Sequence, residues 1–410
     1  MTTEVSRQEN GPDSRKAWLR LGASVVLSAI GGVGMWSVVV VLPAVETEFG
    51  VTRANASLPY SLTMVGFAFG GVLMGRLADR FGVLIPACLG TIMLAIGYCL
   101  SALAENLWQF SLVHGVLIGF LGSSATFSPL IADISHWFER RRGIAVAICA
   151  SGSYLAGTLW PPIVQHAIAA VGWRQTHLSI GLFCILTMLP LALALRTRAP
   201  SHDTSAGASS FAPMPATSGI SGGALQTLLV IAGLSCCVAM SMPQVHIVAY
   251  CGDLGYGVAR GAVMLSLMLG FGIVSRIASG WIADQIGGVA TLLLGSVLQG
   301  FALFLYVWFD GLTSLYVISA LFGLFQGGIV PSYALVVREY FPPAEAGTRV
   351  GIVIMATLFG MALGGWMSGF IFDLTGSYQL AFTNGLMWNL LNISIVAWLL
   401  SRNGRRPAVA

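Results

Sequence analysis

The segment GRLADRFG (residues 75–82) recurs as GWIADQIG (residues 280–287). A glycine, an alanine, an aspartate and a second glycine repeat at an offset of 205 residues. An aromatic pair, Trp137-Phe138, is matched by Tyr340-Phe341 at an offset of 203 residues. Two motifs that return at nearly the same spacing indicate an internal duplication, with one copy in each half of the chain.

The composition around these motifs excludes a soluble protein. Hydrophobic residues make up 56% of the 410 residues and charged residues only 9%, against about 25% charged in soluble domains. The net charge of +4 is spread over short loops, which does not suggest nucleic-acid binding. The seven cysteines lie in or beside apolar segments and have no metal-site spacing, so they are interpreted as apolar fillers. We therefore predict a membrane protein without a metal or other cofactor.

Twelve apolar runs are long enough to cross a bilayer, for which about 20 residues are needed. They predict an all-α membrane protein with twelve transmembrane helices. The predicted spans are 18–45, 57–76, 84–103, 108–134, 144–167, 175–196, 223–251, 258–283, 289–309, 313–337, 348–372 and 378–401.

A segment rich in Ser, Ala, Pro and Gly separates the first six spans from the last six. It covers residues 197–222 and is interpreted as a cytoplasmic linker. The predicted domains are thus two pseudo-symmetric six-helix bundles, residues 18–196 and 223–401, with cytoplasmic tails at 1–17 and 402–410. Duplicated six-helix units are typical of transporters in which two halves rock about a central site.

The basic residues predict the orientation. With the N-terminus inside, sixteen of them fall in cytoplasmic segments, and only Arg53, Arg174 and Arg260 fall in outer loops. This asymmetry follows the positive-inside rule and places both termini in the cytoplasm. The polar, acid-containing N-terminus does not resemble a cleaved signal peptide. For a bacterial source we expect the cell inner membrane.

The chain resembles the major facilitator superfamily in its six-plus-six spans, its linker and its duplicated G-x-L-x-D-R-x-G loop. It resembles the monocarboxylate porter branch in the fifth-span segment WFERRRGIAVAICASGSYLAG (residues 137–157). The resemblance implies the major facilitator fold, a monomer, and transport by alternating access. A weakened first-helix signature, AIGGVGMW (residues 29–36), lacks the acid of that branch, and the branch's first-helix lysine has no counterpart.

Arg276 and Gly280 match the branch's R-x-x-x-G in the eighth span. The resemblance implies that Arg276 pairs with the substrate carboxylate, although the aspartate usual one turn earlier in animal members is Gly272 here. The eleventh span lacks the second cation carried by related oxalate-type porters, which favours a monoanion. Arg276 lies eight residues before Asp284, hence about 12 Å along the helix. Burial of a cation costs about 2.5–3.5 kcal/mol, and snorkelling or a structural ion pair remains the alternative to substrate binding.

Three residues are candidates for proton coupling. Histidine titrates near physiological pH, so His114 and His246 qualify, although a histidine within a helix is commonly a packing residue. Asp133 lies at the cytoplasmic end of the fourth span. The resemblance to the superfamily implies that an acid at this place forms a structural ion pair with an arginine of the 75–82 loop, here Arg76 or Arg80. Alternatively, the proton accompanies the substrate carboxylate and needs no protein acid.

The remaining candidate residues fall into two groups. Besides Arg276 and His246, the candidate substrate contacts are Phe127, Ser128, Tyr154 and Tyr333, for which interhelical hydrogen bonding is the alternative. The family resemblance implies that Phe127 and Ser128 stand where the family contacts substrate. The predicted cytoplasmic gate comprises Gly75, Asp79, Arg80, Asp133, Arg142, Gly280 and Asp284.

The sequence thus predicts a secondary active transporter and not an enzyme. Its partners would be a small organic anion, protons and the lipid bilayer, with no nucleic acid. We expect proton symport of a monocarboxylate. An exporter or exchanger of a larger hydrophobic acid or amphiphile is the alternative. A transporter-like sensor is a different class, disfavoured because only about nine residues follow the last span.

Overall fold

A computed structural model of the protein describes residues 13–197 and 221–403. Within these ranges, twelve helices are long and apolar enough to cross a membrane, as the sequence predicts. We label them in chain order: α1 Arg15–Phe49, α2 Arg53–Phe81, α3 Leu84–Ala102, α4 Leu107–Trp137, α5 Arg142–Val171, α6 Trp173–Ala194, α7 Gly222–Asp253, α8 Val258–Ile286, α9 Gly288–Trp308, α10 Leu312–Tyr340, α11 Glu345–Thr375 and α12 Tyr378–Arg402.

The chain divides into two compact units. Unit 1 comprises Met1–Val51 and Leu58–Ala208, and unit 2 comprises Thr52–Ser57 and Ser209–Ala410. The short segment Thr52–Ser57, at the start of α2, thus belongs to unit 2 although the chain on both sides of it belongs to unit 1. The predicted linker at 197–222 and the predicted tails lie largely outside the described residues.

The repeated loop motif forms the same turn in both units. Gly82 follows α2 with a φ of 85°, and Gly287 follows α8 with a φ of 83°. Each donates its N–H to a carbonyl four residues earlier, that of Ala78 in one case and Ala283 in the other. A left-handed conformation is costly for any residue with a Cβ, which explains why the second glycine of the motif recurs.

Each aromatic pair packs into the core of its own unit. Trp137 and Phe138 are each 1% exposed in the core of unit 1, and Phe341 is 6% exposed in the core of unit 2. Tyr340 packs against that second core. The recurrence of this motif therefore reflects burial of the chain that follows α4 and α10.

Glycine allows close helix packing at matching places in the two units. A Cβ on Gly66 or Gly70 of α2 would overlap the backbone of α4, at Gly115 and Phe120. In unit 2, a Cβ on Gly323 or Gly327 of α10 would overlap the backbone of α8. Small residues of this kind let membrane helices approach at backbone distance.

The outer surfaces carry large apolar side chains. Ile277, Trp281 and Leu186 are each more than 60% exposed in the described structure. Exposed apolar surface on this scale would drive association in water, and it is typical of helices that face lipid.

Candidate functional site

Arg276 is a half-buried arginine in the middle of α8. Its neighbour Ser275 is buried against α10, where its Oγ accepts the Gly328 N–H at 3.1 Å. One turn further on, a Cβ built on Gly280 meets no atom within 4 Å. Since residues four apart share a helix face, Arg276 lies on a face that opens beside Gly280.

The equivalent positions in unit 1 also have open space beside the helix, but they carry no arginine. At the 205-residue offset, Arg276 corresponds to Gly71 and Gly280 to Gly75. A Cβ on Gly75 would also meet no atom within 4 Å, whereas one on Gly71 would lie 3.2 Å from the Ser128 Oγ. The charge is therefore an addition to the repeated framework, and Ser128 borders the corresponding place in unit 1.

Ser128 follows an interruption in α4. Residues Val113–Gly122 form a π-helix, Ser123–Thr126 a turn of 3-10 helix, and Phe127 has non-helical angles, φ −123° and ψ −77°. The α-helix resumes at Ser128 with Pro129 in its first turn, where the missing N–H of proline is tolerated. Phe127 and Ser128 are half-buried. Such interruptions are frequent at functional sites.

Three other candidate substrate residues are buried within their own units. Tyr333 donates its hydroxyl to the Asn392 Oδ1 at 2.7 Å, and Asn392 in turn donates to the Ser296 Oγ at 2.8 Å. The His246 Nε2 lies 2.8 Å from the Gly365 carbonyl oxygen, to which it must donate. Tyr154 is 8% exposed in α5. The hydrogen bonds of Tyr333 and His246 join helices of unit 2. In this conformation both side chains therefore make interhelical hydrogen bonds, which is the alternative to substrate binding. The proposed binding roles of all three residues stay predictions.

Asp133 pairs with an arginine other than the two that the sequence suggested. Its carboxylate accepts two hydrogen bonds from Arg20 of α1, at 2.6 and 2.9 Å. Arg20 also donates to the Leu195 carbonyl at 3.1 Å and lies over the Trp137 ring. The structural role of Asp133 is therefore retained, but the expected partners Arg76 and Arg80 were wrong. Arg20 lies 113 residues before Asp133 in the chain, and the repeated motifs give no indication that the two residues pair.

A cavity of about 400 Å³ opens in unit 1 beside this pair. Asp79, Asp133 and Arg20 line it together with His136 and Arg196. The other predicted gate residues occupy different surroundings. Arg80 and Arg142 are exposed in unit 1, and Gly280 and Asp284 are exposed in unit 2. The assembled gate stays a prediction.

A charged cluster that the sequence analysis did not identify lies within unit 2. Arg53 is 6% exposed and contacts both carboxylate oxygens of Asp253, at 3.0 and 3.3 Å, as well as the Tyr378 hydroxyl. Asp373 accepts the backbone N–H groups of Arg53 and Ala54 at 2.9 and 2.8 Å. We call Arg53, Asp253, Asp373 and Tyr378 the Arg53 cluster. It fixes the segment Thr52–Ser57 to unit 2.

His114 has a neighbour that the sequence analysis also missed. His177 of α6 lies with its ring centroid 5.8 Å from that of His114, and both side chains are fully buried. They are 63 residues apart in the chain, on different helices, so no local pattern brings them together.

Comparison with protein families identifies one model that covers the chain. The sequence matches the family described as Major Facilitator Superfamily over residues 25–317 and 289–409.

Comparison with curated proteins finds transporters. The chain is 28% identical to monocarboxylate transporter 13 of Bos taurus over 382 residues, which cover 90% of this chain and 86% of that protein. It is 24% identical to the MFS-type transporter pynF of Aspergillus niger over 348 residues, which cover 83% of this chain and 78% of that protein.

Comparison with solved structures supports the fold. The crystal structure of the nucleoside transporter NupG superimposes with a TM-score of 0.70 at 15% sequence identity. The match covers 94% of this chain and 99% of that one. At this identity the likeness concerns the fold alone.

Proposed function

The chain belongs to the Major Facilitator Superfamily, and from this premise we propose that it is a secondary active transporter that carries a small organic monocarboxylate together with a proton. The relatives are transporters, so the protein is a membrane transporter and not an enzyme. The proposal adds the substrate class, the coupling ion and alternating access between the two sides of the membrane.

Arg276 carries the substrate assignment. It is a cation in the middle of an apolar helix, half-buried, on a face with open space beside Gly280. A guanidinium binds a carboxylate with two parallel hydrogen bonds, which suits one anionic group on a small molecule. The similarity to monocarboxylate transporter 13 supports the same substrate class. Phe127, Ser128 and Tyr154 are the further substrate contacts that we propose.

We propose that the protein works as a monomer in the cell inner membrane, with both termini in the cytoplasm. The distribution of basic residues supports this orientation. In that orientation the Asp133–Arg20 pair lies at the cytoplasmic end of unit 1, and the Arg53 cluster lies at the opposite end of the helices of unit 2.

A second candidate is export or exchange of a larger hydrophobic acid. The absent first-helix acid and lysine support it, because the first-helix signature of the monocarboxylate branch is then incomplete. The similarity to fungal MFS-type transporters, at an identity close to that of the mammalian relative, is compatible with this substrate class.

Uptake into proteoliposomes tests the proposal. Purified protein is reconstituted and offered labelled lactate, pyruvate and a series of longer and aromatic monocarboxylates, with the interior alkaline. We expect accumulation of a short monocarboxylate above its equilibrium level, and its abolition by a protonophore.

Two controls separate the alternatives. Counterflow, in which unlabelled acid inside drives transient entry of label, identifies a carrier and excludes a sensor or a channel. Selective accumulation or exchange of the longest acids would favour the second candidate. If neither gradient-driven uptake nor counterflow is found with any acid, the monocarboxylate proposal is wrong.

A further inference from the structure

The helices α3 and α9 begin at equivalent places in the two units, directly after the repeated loop motif. Gly82 and Gly287 end the motif, and Val83 and Gly288 are the residues that follow them. The first turn of a helix leaves backbone N–H groups without a carbonyl partner, and the helix dipole makes this end attractive to anions. The side chains around this helix end differ between the two units.

In unit 2 a carboxylate binds the beginning of α9. The Gly288 N–H donates to the Glu339 Oε1 at 2.7 Å. Glu339 lies at the end of α10, directly before the aromatic pair Tyr340-Phe341. A Cβ on Gly288 would lie 2.8 Å from the same oxygen, so the carboxylate packs against the backbone at this place. Unit 2 therefore supplies its own anion to this helix end.

In unit 1 a histidine and a cavity lie at the corresponding place. His136 precedes Trp137-Phe138 as Glu339 precedes its aromatic pair. His136 and the chain segment 82–85 both line the cavity of about 400 Å³ in unit 1. Val83, the residue before α3, makes no side-chain capping hydrogen bond. Because histidine carries no negative charge, position 136 does not provide the carboxylate that unit 2 places at its helix end.

Two arginines bring positive charge to the same cavity. Arg196 follows α6, is exposed and lines the cavity. Arg20, which also lines it, is 5% exposed and donates from Nε and Nη2 to Asp133 and to the Leu195 carbonyl. Its Nη1 makes no hydrogen bond with any described residue, so a donor of this buried guanidinium remains for a ligand. Guanidinium groups and helix N-termini both bind phosphate.

We propose that this cavity binds the phosphate group of a phospholipid of the cytoplasmic leaflet, with the α3 N-terminus, Arg196 and His136 as its main ligands. The phosphate takes the place at α3 that the Glu339 carboxylate takes at α9. The Nη1 of Arg20 adds a further donor without loss of its pair with Asp133. Basic pockets between membrane helices on the cytoplasmic side bind phosphorylated headgroups in this way.

The rim of the cavity favours a lipid over a soluble phosphate ester. Phe81 and Ile85 also line the cavity, and they are 46% and 45% exposed. Apolar side chains beside a polar interior suit an acyl chain next to a headgroup. The choice of leaflet rests on the proposed orientation, but the site does not depend on the transported acid, so its failure would leave the proposed function unaffected.

Two carboxylates in the cavity oppose the binding of an anion to different degrees. Asp133 accepts two hydrogen bonds from Arg20, so these two charges largely cancel. Asp79 is exposed and repels an anion, although water and salt screen an exposed charge. Loss of the Asp79 charge is therefore expected to strengthen phosphate binding, whereas it would weaken the binding of a cation.

Two probes with the same phosphate headgroup test the proposal. Purified full-length protein, freed of lipid in detergent, is titrated with dioleoyl phosphatidate and with glycerol 3-phosphate, and the affinities are measured by calorimetry at one pH. We expect phosphatidate to bind the more tightly, because only phosphatidate reaches the apolar rim. Equal affinities would overturn the assignment to a lipid, and binding of neither probe would overturn the site.

Arginine variants distinguish this cavity from attraction to surface charge. Arg196→Gln removes a charge-assisted hydrogen bond to the phosphate and should weaken phosphatidate binding about tenfold or more. Arg140→Gln is the matched control, since Arg140 is an exposed arginine of unit 1 that does not line the cavity. Asp79→Asn should bind phosphatidate more tightly than the wild type. Equal weakening by the two arginine variants, or weaker binding by Asp79→Asn, would contradict the proposal.

His136→Glu gives unit 1 the residue type that unit 2 carries at the equivalent position. The introduced carboxylate can accept the Val83 N–H, as Glu339 accepts that of Gly288, and it competes with an external phosphate. We expect phosphatidate binding to fall about tenfold or more, and to fall less in His136→Gln, which adds no charge. Undiminished binding by a His136→Glu protein that unfolds at the wild-type temperature would overturn the proposal.

Discussion

Arg20 and Arg276 are both arginines within apolar helices, and they differ in their surroundings. Arg20 is 5% exposed and donates to a carboxylate and a backbone carbonyl. Arg276 is half-buried and stands on an open helix face. A charge that a carboxylate of the protein already neutralises needs no ligand, and a half-buried cation beside open space can be reached by an anionic ligand. The two side chains therefore suit a structural and a binding role, respectively.

The Arg20–Asp133 pair is predicted to stabilise unit 1 strongly. Removing one partner, as in Asp133→Asn, leaves an uncompensated buried charge and should cost about 3–5 kcal/mol. The double variant Arg20→Met with Asp133→Asn should lose less than the sum of the single variants. Thermal unfolding of the purified protein in detergent measures both effects.

The pair Arg349–Glu345 is the control for that experiment. It is an exposed pair one helical turn apart, with N···O 2.7 Å. Pairs of this kind contribute about 0.3–0.5 kcal/mol. Equal losses in Asp133→Asn and Glu345→Gln would show that burial does not determine the strength of the first pair.

At the scale of elements, the sequence predicted which segments are helices but not how α4 is built. Apolar length and the absence of charge are sufficient to identify the spans. The π-helix at Val113–Gly122 lies where the carbonyls of Gly115 and Phe120 approach glycines of α2. This distortion involves contact with a helix distant in sequence, so the local pattern around His114 and Phe127 did not indicate it.

Close packing of α2 against α4 predicts a selective effect of one methyl group. In Gly70→Ala the new Cβ would overlap the Phe120 carbonyl, and such overpacking costs about 1–3 kcal/mol. In Gly75→Ala, five residues along the same helix, the Cβ enters open space. There alanine should be neutral or stabilise by up to about 1 kcal/mol. Thermal unfolding compares the two, and a destabilisation of both by the same amount would contradict the packing described here.

At the scale of the whole molecule, the duplication was predictable and the long-range polar contacts were not. The repeated motif GRLADRFG correctly indicated two copies of one unit, and its final glycine has a positive φ at both residue 82 and residue 287. Asp133 with Arg20, His114 with His177, and Arg53 with Asp253 each join residues far apart in sequence, and none belongs to the repeat. Such pairs depend on which helix faces meet, which hydropathy alone does not determine.

The Arg53 cluster predicts how the segment Thr52–Ser57 is held. Ala54 is 5% exposed, and its N–H donates to Asp373. Asp373→Asn weakens two charge-assisted hydrogen bonds, each of about 1.5–3 kcal/mol. With the native cysteines replaced, the cysteine of Ala54→Cys should then react with a membrane-impermeant maleimide about tenfold faster or more, because about 1.4 kcal/mol corresponds to a tenfold change in an equilibrium.

Asn55→Cys is the matched control, since Asn55 is already exposed one residue further on. Its labelling rate should not change with Asp373→Asn. If Asp373→Asn does not alter labelling at position 54, the cluster does not hold the segment.

The central claim is that Arg276 binds the carboxylate of the substrate, and the most direct measurement is gradient-driven uptake by Arg276→Ala. It is compared in proteoliposomes with Arg276→Lys and with Arg260→Ala, an exposed arginine of the same helix. We predict that Arg276→Ala abolishes both accumulation and counterflow of the monocarboxylate. Arg276→Lys should retain weak transport because it keeps the charge without the two-pronged geometry, and Arg260→Ala should behave as wild type. Undiminished accumulation by a correctly folded Arg276→Ala protein would contradict the claim and make Arg276 a structural residue.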